Sequence, residues 1–149
     1  VEARRGAVGD LDGDGILDLV LAVIDGNPSQ RFTGASDATF ALTQTFDTDD
    51  TRDVAIGDVD NDGDLDVVTA VAGPNRVWLN DGTGTLTDSG QGLGSSMSQS
   101  VDLFDADGDG NLDALFGNVG GQANRLFFGN GLGTFFPAGQ QIGGGINTE

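Results

Sequence analysis

Apolar residues in this chain come in short runs separated by clusters of Gly, Asn and Asp, and these runs set the first expectation. Residues 19–24 (LVLAVI), 67–72 (VVTAVA) and 114–116 (ALF) are nearly continuous apolar stretches. Bounded by turn residues and too short for helices, they predict strands buried on both faces. Each is preceded by another short strand candidate, at residues 7–9, 54–57 and 101–104, and followed by a hairpin. The hairpins pair 30–33 with 39–46, 76–79 with a strand from 85, and 124–128 with 134–136. TFALTQTF at 39–46 alternates well enough to keep one face in water. The clearest turn, Asn80-Asp81-Gly82-Thr83-Gly84, is rich in residues that tolerate positive φ. Helical periodicity is absent throughout.

These elements repeat. Between the first two strands of each unit lies an acidic stretch, and the first residues of the three stretches, Asp10, Asp58 and Asp105, are 48 and 47 positions apart. Beyond the loops, Arg31-Phe32, Arg76-Val77 and Arg125-Leu126 align at one position and Phe40, Leu86 and Phe135 at another, with unit one about one residue shorter in its hairpin turn. Four short strands per unit of about 47 residues predict an all-β fold, a β-propeller built of four-stranded antiparallel blades. The approximate blades are 1–50, 51–98 and 99–149, forming one array. A flat β-sandwich of twelve strands accounts less well for the repetition. Propeller rings hold roughly four to eight blades, so three leave the ring open. Either the chain is part of a larger ring, or a homodimer completes a six-bladed one. The tail, residues 140–149, resembles the connector before Val101 and leads toward a further inner strand.

The acidic stretches follow Asp-x-Asp-x-Asp-Gly-x-x-Asp: residues 10–18 (DLDGDGILD), 58–66 (DVDNDGDLD) and 105–113 (DADGDGNLD). Carboxylates at positions 1, 3 and 5 of a tight loop can converge on one cation, with oxygens about 2.3–2.6 Å from a Ca²⁺. Those positions are Asp10, Asp12 and Asp14; Asp58, Asp60 and Asp62; and Asp105, Asp107 and Asp109. Glycine at position 6 (Gly15, Gly63, Gly110) permits the sharp turn, and position 4 (Gly13, Asn61, Gly108) accepts left-handed geometry. The backbone carbonyl of position 7 (Ile16, Asp64, Asn111) would add an oxygen, and position 9 (Asp18, Asp66, Asp113) would close the cage. The Asp64 side chain is an extra acid in the second loop. All these ligands are hard oxygens, which favours Ca²⁺, about three per chain, over Mn²⁺ or Mg²⁺. An EF-hand needs a Glu at position 12 and flanking helices; here position 12 is Leu21, Thr69 or Phe116, inside an apolar strand. A dockerin likewise needs a following helix.

Composition narrows the function. The chain carries 24 acidic residues against six arginines, for a net charge of −18. That charge argues against nucleic acid, which needs cations to displace its counterions, and against anionic membrane surfaces. The longest apolar run, residues 19–24, cannot insert into a bilayer. Cys, His and Tyr are absent, and Lys too, which removes most general bases and nucleophiles and leaves little for an enzyme. A polyacidic disordered chain is the alternative reading of the charge, but twelve of the 24 acids sit at equivalent loop positions between apolar runs.

With these residues in view, the chain resembles the FG-GAP or VCBS repeats of integrin α-subunit-like propellers. There an inner strand runs into the same acidic loop, a buried second strand follows, and a turn like residues 80–84 joins the last two strands. Val71-Ala72-Gly73-Pro74 partly matches the family's Gly-Ala-Pro segment, whereas Phe104 has no following Gly. The resemblance covers essentially the whole chain. It implies structurally held Ca²⁺, an extracellular or cell-surface location with any signal peptide outside this chain, and an adhesion role toward a protein or glycan ligand. Alternatives are a calcium-stabilised lectin and an appended module of a larger secreted enzyme. Trp78, the single tryptophan, suits blade packing better than a sugar platform, and Arg31, Arg76 and Arg125 are expected to pair with carboxylates of their own blades.

Overall fold

A computed structural model of the chain describes residues 2–143. Twelve strands form three separate four-stranded sheets, each an antiparallel meander in chain order. Blade 1 holds β1 (Ala3–Gly9), β2 (Asp18–Val23), β3 (Ser29–Gly34) and β4 (Phe40–Phe46). Blade 2 holds β5 (Thr51–Gly57), β6 (Asp66–Val71), β7 (Asn75–Asn80) and β8 (Leu86–Leu93). Blade 3 holds β9 (Ser98–Phe104), β10 (Asp113–Asn118), β11 (Asn124–Gly129) and β12 (Phe135–Ile142). The innermost strands β1, β5 and β9 lie side by side, and the arc stays open. This is a three-blade partial propeller. The last residues of the expected lead-in to a further inner strand, 144–149, lie outside the described residues.

The inner strands begin earlier than their apolar patterns suggest. Ala3 pairs with Val23, Thr51 with Val71 and Ser98 with Asn118, and in each case one residue is skipped directly afterwards: Arg4, Arg52 and Gln99. A bulge at the same place in all three blades puts polar residues into a strand whose first turns carry no hydrophobic alternation.

Blades stack face to face over two apolar layers. Val20, Ala22 and Phe46 of blade 1 meet Val54, Val67 and Leu86 of blade 2, with Trp78 packed against them. Val68, Ala70, Val77 and Leu93 on the opposite face of blade 2 meet Ala114, Phe116, Phe127 and Phe135 of blade 3. Cross-strand partners point to one face of a sheet, so register identifies equivalent positions. Leu19 lies opposite Phe32, Val67 opposite Trp78 and Ala114 opposite Phe127. The face that blade 2 turns to blade 1, and blade 3 to blade 2, is therefore the face that blade 1 leaves open.

Three expectations change here. Only β6 is buried at every position; β2 and β10 each include half-buried positions, because only blade 2 has a neighbour on both sides. Among the described residues ten large apolar side chains are well exposed, Val8, Leu42 and Phe136 included, and none lies in the strands of blade 2. The arginine alignment also shifts. Val20 pairs with Arg31, but Val68 pairs with Val77 and Leu115 with Leu126. Arg31 is thus equivalent to Val77, one residue off the position of Arg76, and a one-residue slip moves a side chain to the other face. The hairpin turns are of equal length, flanked by Gly34 and Phe40, Asn80 and Leu86, and Gly129 and Phe135. What varies is the connection between second and third strands, shorter in blade 2 (72–74) than in blade 1 (24–28) or blade 3 (119–123).

Candidate metal centre

The three acidic loops leave the ends of β1, β5 and β9 and fold on their own carboxylates. Position 1 accepts the amide of position 6: Gly15 N to Asp10 Oδ2 at 2.9 Å, Gly63 N to Asp58 Oδ2 at 3.1 Å, and Gly110 N to Asp105 Oδ2 at 3.0 Å. Position 5 accepts the amide of position 7: Ile16 to Asp14 at 2.8 Å, Asp64 to Asp62 at 2.9 Å, and Asn111 to Asp109 at 2.8 Å. Asn61 at position 4 has φ +60 and Gly63 at position 6 has φ +99, so the backbone turns twice through left-handed geometry within four residues.

This winding brings carboxylates together. Oxygens of Asp10, Asp12 and Asp14, of Asp58, Asp60 and Asp62, and of Asp105, Asp107 and Asp113 lie within 4.8 Å of one another in each group. Clustered acids alone do not define a metal site, but two of these side chains carry a further mark. Asp12 Oδ1 and Asp58 Oδ1 are shut off from solvent and meet no hydrogen-bond donor. A buried carboxylate oxygen without a donor is costly unless a cation faces it. The residues therefore fit a hard divalent cation held by oxygens. Asp109 stands outside the third group; its Oδ2 instead accepts from Asn111 Nδ2 at 2.8 Å.

Position 9 is built differently. Asp18, Asp66 and Asp113 are fully buried. Each accepts the amide of position 2, from Leu11 at 3.2 Å, Val59 at 2.9 Å and Ala106 at 2.8 Å. Each also accepts the amide at the end of the third strand, from Gly34 at 2.9 Å, Asn80 at 2.9 Å and Gly129 at 2.8 Å. The side chain thus braces loop, second strand and hairpin of its own blade; Asp18 and Asp66 lie outside the oxygen triplets of their loops, and Asp113 belongs to its own. Burial pushes the Asp66 carboxyl up to about 6 against the two amide bonds, with the charges of Asp60 and Asp62 adding to the rise. Asp60 is likewise raised, first by burial and then by the charge of Asp62. A bound cation would favour both ionised forms.

Neighbouring blades clasp these loops. Asn80 Nδ2 donates to Leu11 O of the first loop at 2.7 Å and to Leu65 O of the second at 2.9 Å, while its Oδ1 accepts from Gly84 N at 2.9 Å. Asn61 Nδ2 reaches Asn111 Oδ1 at 2.9 Å, joining the second loop to the third. The sequence reading assigned Asn80 only to a turn. Its equivalents Gly34 and Gly129 lack the side chain, so repetition carried no signal for it.

The arginines divide. Arg31 bonds Asp18 and Asp12. Arg76 sits between Asp49 at 2.9 Å, Asp88 at 3.4 Å and Asp47 at 4.0 Å. Arg125 takes part in no ion pair among the described residues. Trp78 packs edge-on against Phe46, ring centroids 5.1 Å apart, with its Nε1 buried and unpartnered.

Three stacked four-stranded blades, each with an acidic loop between its first two strands, define a propeller-type repeat protein with one candidate cation site per blade. The FG-GAP-like repeat family model matches residues 10–69 and again 58–116, each match running from one acidic loop through the next. Together they cover well over half the chain, and the chain belongs to that family. No curated protein matches it. Among the described residues no helix is long and apolar enough to cross a membrane.

Proposed function

We propose that this chain is a non-catalytic calcium-binding module for protein recognition or adhesion outside the cell, with one Ca²⁺ fastening each acidic loop. The observation that carries this reading is the pair of buried, donorless oxygens on Asp12 and Asp58, each a member of a group of three Asp residues whose oxygens converge within 4.8 Å. Membership of a repeat family whose loops often bind calcium, and which is typical of extracellular proteins, supports it. Asp10, Asp12 and Asp14, then Asp58, Asp60 and Asp62, and in the third loop Asp105, Asp107 and Asp113, would each hold one ion. Bound, it would neutralise the carboxylates and lock the loop. Extracellular calcium modules of this ligand type bind at about 10⁻⁴–10⁻³ M, useful where calcium is millimolar.

The two open faces are proposed to take blades of the same kind, supplied by a second copy. Val8, Leu19, Phe32 and Leu42 form one continuous row across blade 1. The equivalent row of blade 3, Leu103, Ala114, Phe127 and Pro137, faces blade 2. Native mass spectrometry in calcium tests both ideas. Six ions on a dimer are expected, falling to an ion-free monomer in chelator, and Leu42→Asp should prevent dimerisation. A calcium-bound monomer at micromolar concentration removes the second copy; a chain that takes up no ion removes the metal.

A second reading, a lectin, rests on one feature. A cavity of about 290 Å³ is lined by Asp47, Thr48, Asp49, Arg76, Trp78 and Asp88, a set of carboxylates and a cation beside an indole that suits sugar hydroxyls. Since Trp78 is the single tryptophan, a saccharide bound there should change the protein's indole fluorescence. A glycan array with no saccharide-inhibitable binding, and no fluorescence change, would remove this reading.

A further inference from the structure

The three loops are not equivalent, and one buried side chain makes the difference. Arg31 on β3 is 4% exposed and points from blade 1 into its junction with blade 2. Its Nη2 donates to Asp18 Oδ2 at 2.7 Å and to Asp12 Oδ2 at 3.4 Å, which are positions 9 and 3 of the first loop. The guanidinium lies against Gly84 of the blade 2 hairpin turn, in space that a Cβ there would occupy. At the equivalent positions of the other blades stand Val77 and Leu126, which carry no charge.

Charge therefore differs from loop to loop. The second loop has five carboxylates, Asp64 included, and the third has four; the first has four with a guanidinium bonded to two of them. Arginine does not deprotonate in proteins, so this cation is permanent. Blade 2 covers it, which keeps it from swinging away when a metal arrives. A divalent ion held by Asp12 would share that carboxylate with a fixed positive charge at close range in a partly buried junction, where charges interact more strongly than in water. Without metal, the same guanidinium compensates Asp12 and Asp18, whereas among the described residues no arginine pairs with the acids of the second and third loops.

Resting on the reading that the loops hold calcium, we propose that Arg31 is a built-in counter-cation that makes the first loop the low-affinity site of the three and holds that loop folded when calcium is scarce. Ligand charge count and rigidity tune calcium affinity over orders of magnitude. The expected result is that the second and third loops fill first and the first loop at a calcium concentration about tenfold higher. The chain then responds to calcium in two steps, blades 2 and 3 before blade 1.

The test is a calcium titration of the wild-type chain followed by the backbone amide resonances of Gly15, Gly63 and Gly110, one per loop, each bonded to its position 1 carboxylate. Gly15 is expected to shift last. Replacement of Arg31 by the leucine found at the equivalent place in blade 3, Arg31→Leu, is expected to bring the first loop to within a few-fold of the others while leaving Gly63 and Gly110 unchanged. If Gly15 shifts together with or ahead of the other two in the wild-type chain, the counter-cation role is overturned while the calcium reading stands. Should none of the three move up to about 10 mM calcium, far above the expected range, the calcium reading fails and this proposal with it. The wild-type titration decides the matter even where the variant does not fold.

Discussion

Saturating calcium is expected to raise the melting temperature of this chain by about 6–32 °C over the chelated protein. The size follows from linkage: a ligand that binds only the folded state stabilises it by RT ln(1 + [L]/Kd). With Kd of about 10⁻⁴–10⁻³ M and about 10 mM calcium, each loop contributes roughly 1.4–2.7 kcal/mol. Two or three loops together give about 3–8 kcal/mol, and a domain of this size moves by roughly 2–4 °C per kcal/mol. The physical source is the set of carboxylates that the fold gathers whether or not an ion is present. Twelve Asp residues occupy positions 1, 3, 5 and 9 of the three loops. Burial already holds Asp66 and Asp60 toward their neutral forms, which is the fold's response to charge it cannot disperse. Magnesium at the same concentration should give a much smaller rise, because it is reluctant to shed water and demands a stricter octahedral geometry. Differential scanning calorimetry in calcium, magnesium and chelator measures this directly, and equal melting temperatures in calcium and chelator would refute the fastening role.

Much of the architecture was legible because two periodicities coincide in this chain. Apolar runs of strand length recur about every 47 residues, and the acidic loops recur in step with them, so Asp10, Asp58 and Asp105 locate the same point in each blade. Local rules sufficed there: a glycine or asparagine where φ must be positive, and carboxylates spaced for one loop. What sequence could not convey was which copies have neighbours. Leu19 and Val67 look alike as letters and occupy the same place in their blades, yet Val67 is buried and Leu19 faces outward, since no described blade covers blade 1 on that side. Repetition also misled where one letter recurred by coincidence. Arg31 and Arg76 sit on opposite faces of their sheets, and only strand register reveals it. Position 9 read as a metal ligand, and Asp113 does join the oxygen triplet of its loop, but burial and two amide bonds also make Asp18, Asp66 and Asp113 braces of the blade.

That distinction yields the largest effect expected from a single substitution. Asp18→Ala should destabilise the chain by about 3–5 kcal/mol, because breaking a buried ion pair leaves the surviving charge uncompensated. Asp18 has no solvent exposure and receives three bonds, from the Leu11 amide at 3.2 Å, the Gly34 amide at 2.9 Å and Arg31 Nη2 at 2.7 Å. Alanine would leave two buried amides without their acceptor and the buried guanidinium with only its longer bond to Asp12 at 3.4 Å, and each loss carries its own desolvation cost. The loss should be nearly the same in calcium and in chelator, since the brace works without the ion. Asp62→Ala is the contrast. Asp62 is exposed, accepts the Asp64 amide at 2.9 Å and belongs to the second oxygen triplet. Its removal should cost little in chelator, where it relieves repulsion, and should lower stability in calcium by the share of one site. Adding Arg31→Leu to Asp18→Ala should recover part of the loss, because no buried charge is then left alone. Chemical denaturation of the three variants in both buffers provides the comparison. If Asp18→Ala matched wild type in chelator and fell behind only in calcium, position 9 would act as a ligand first, and the brace assigned to it would be wrong.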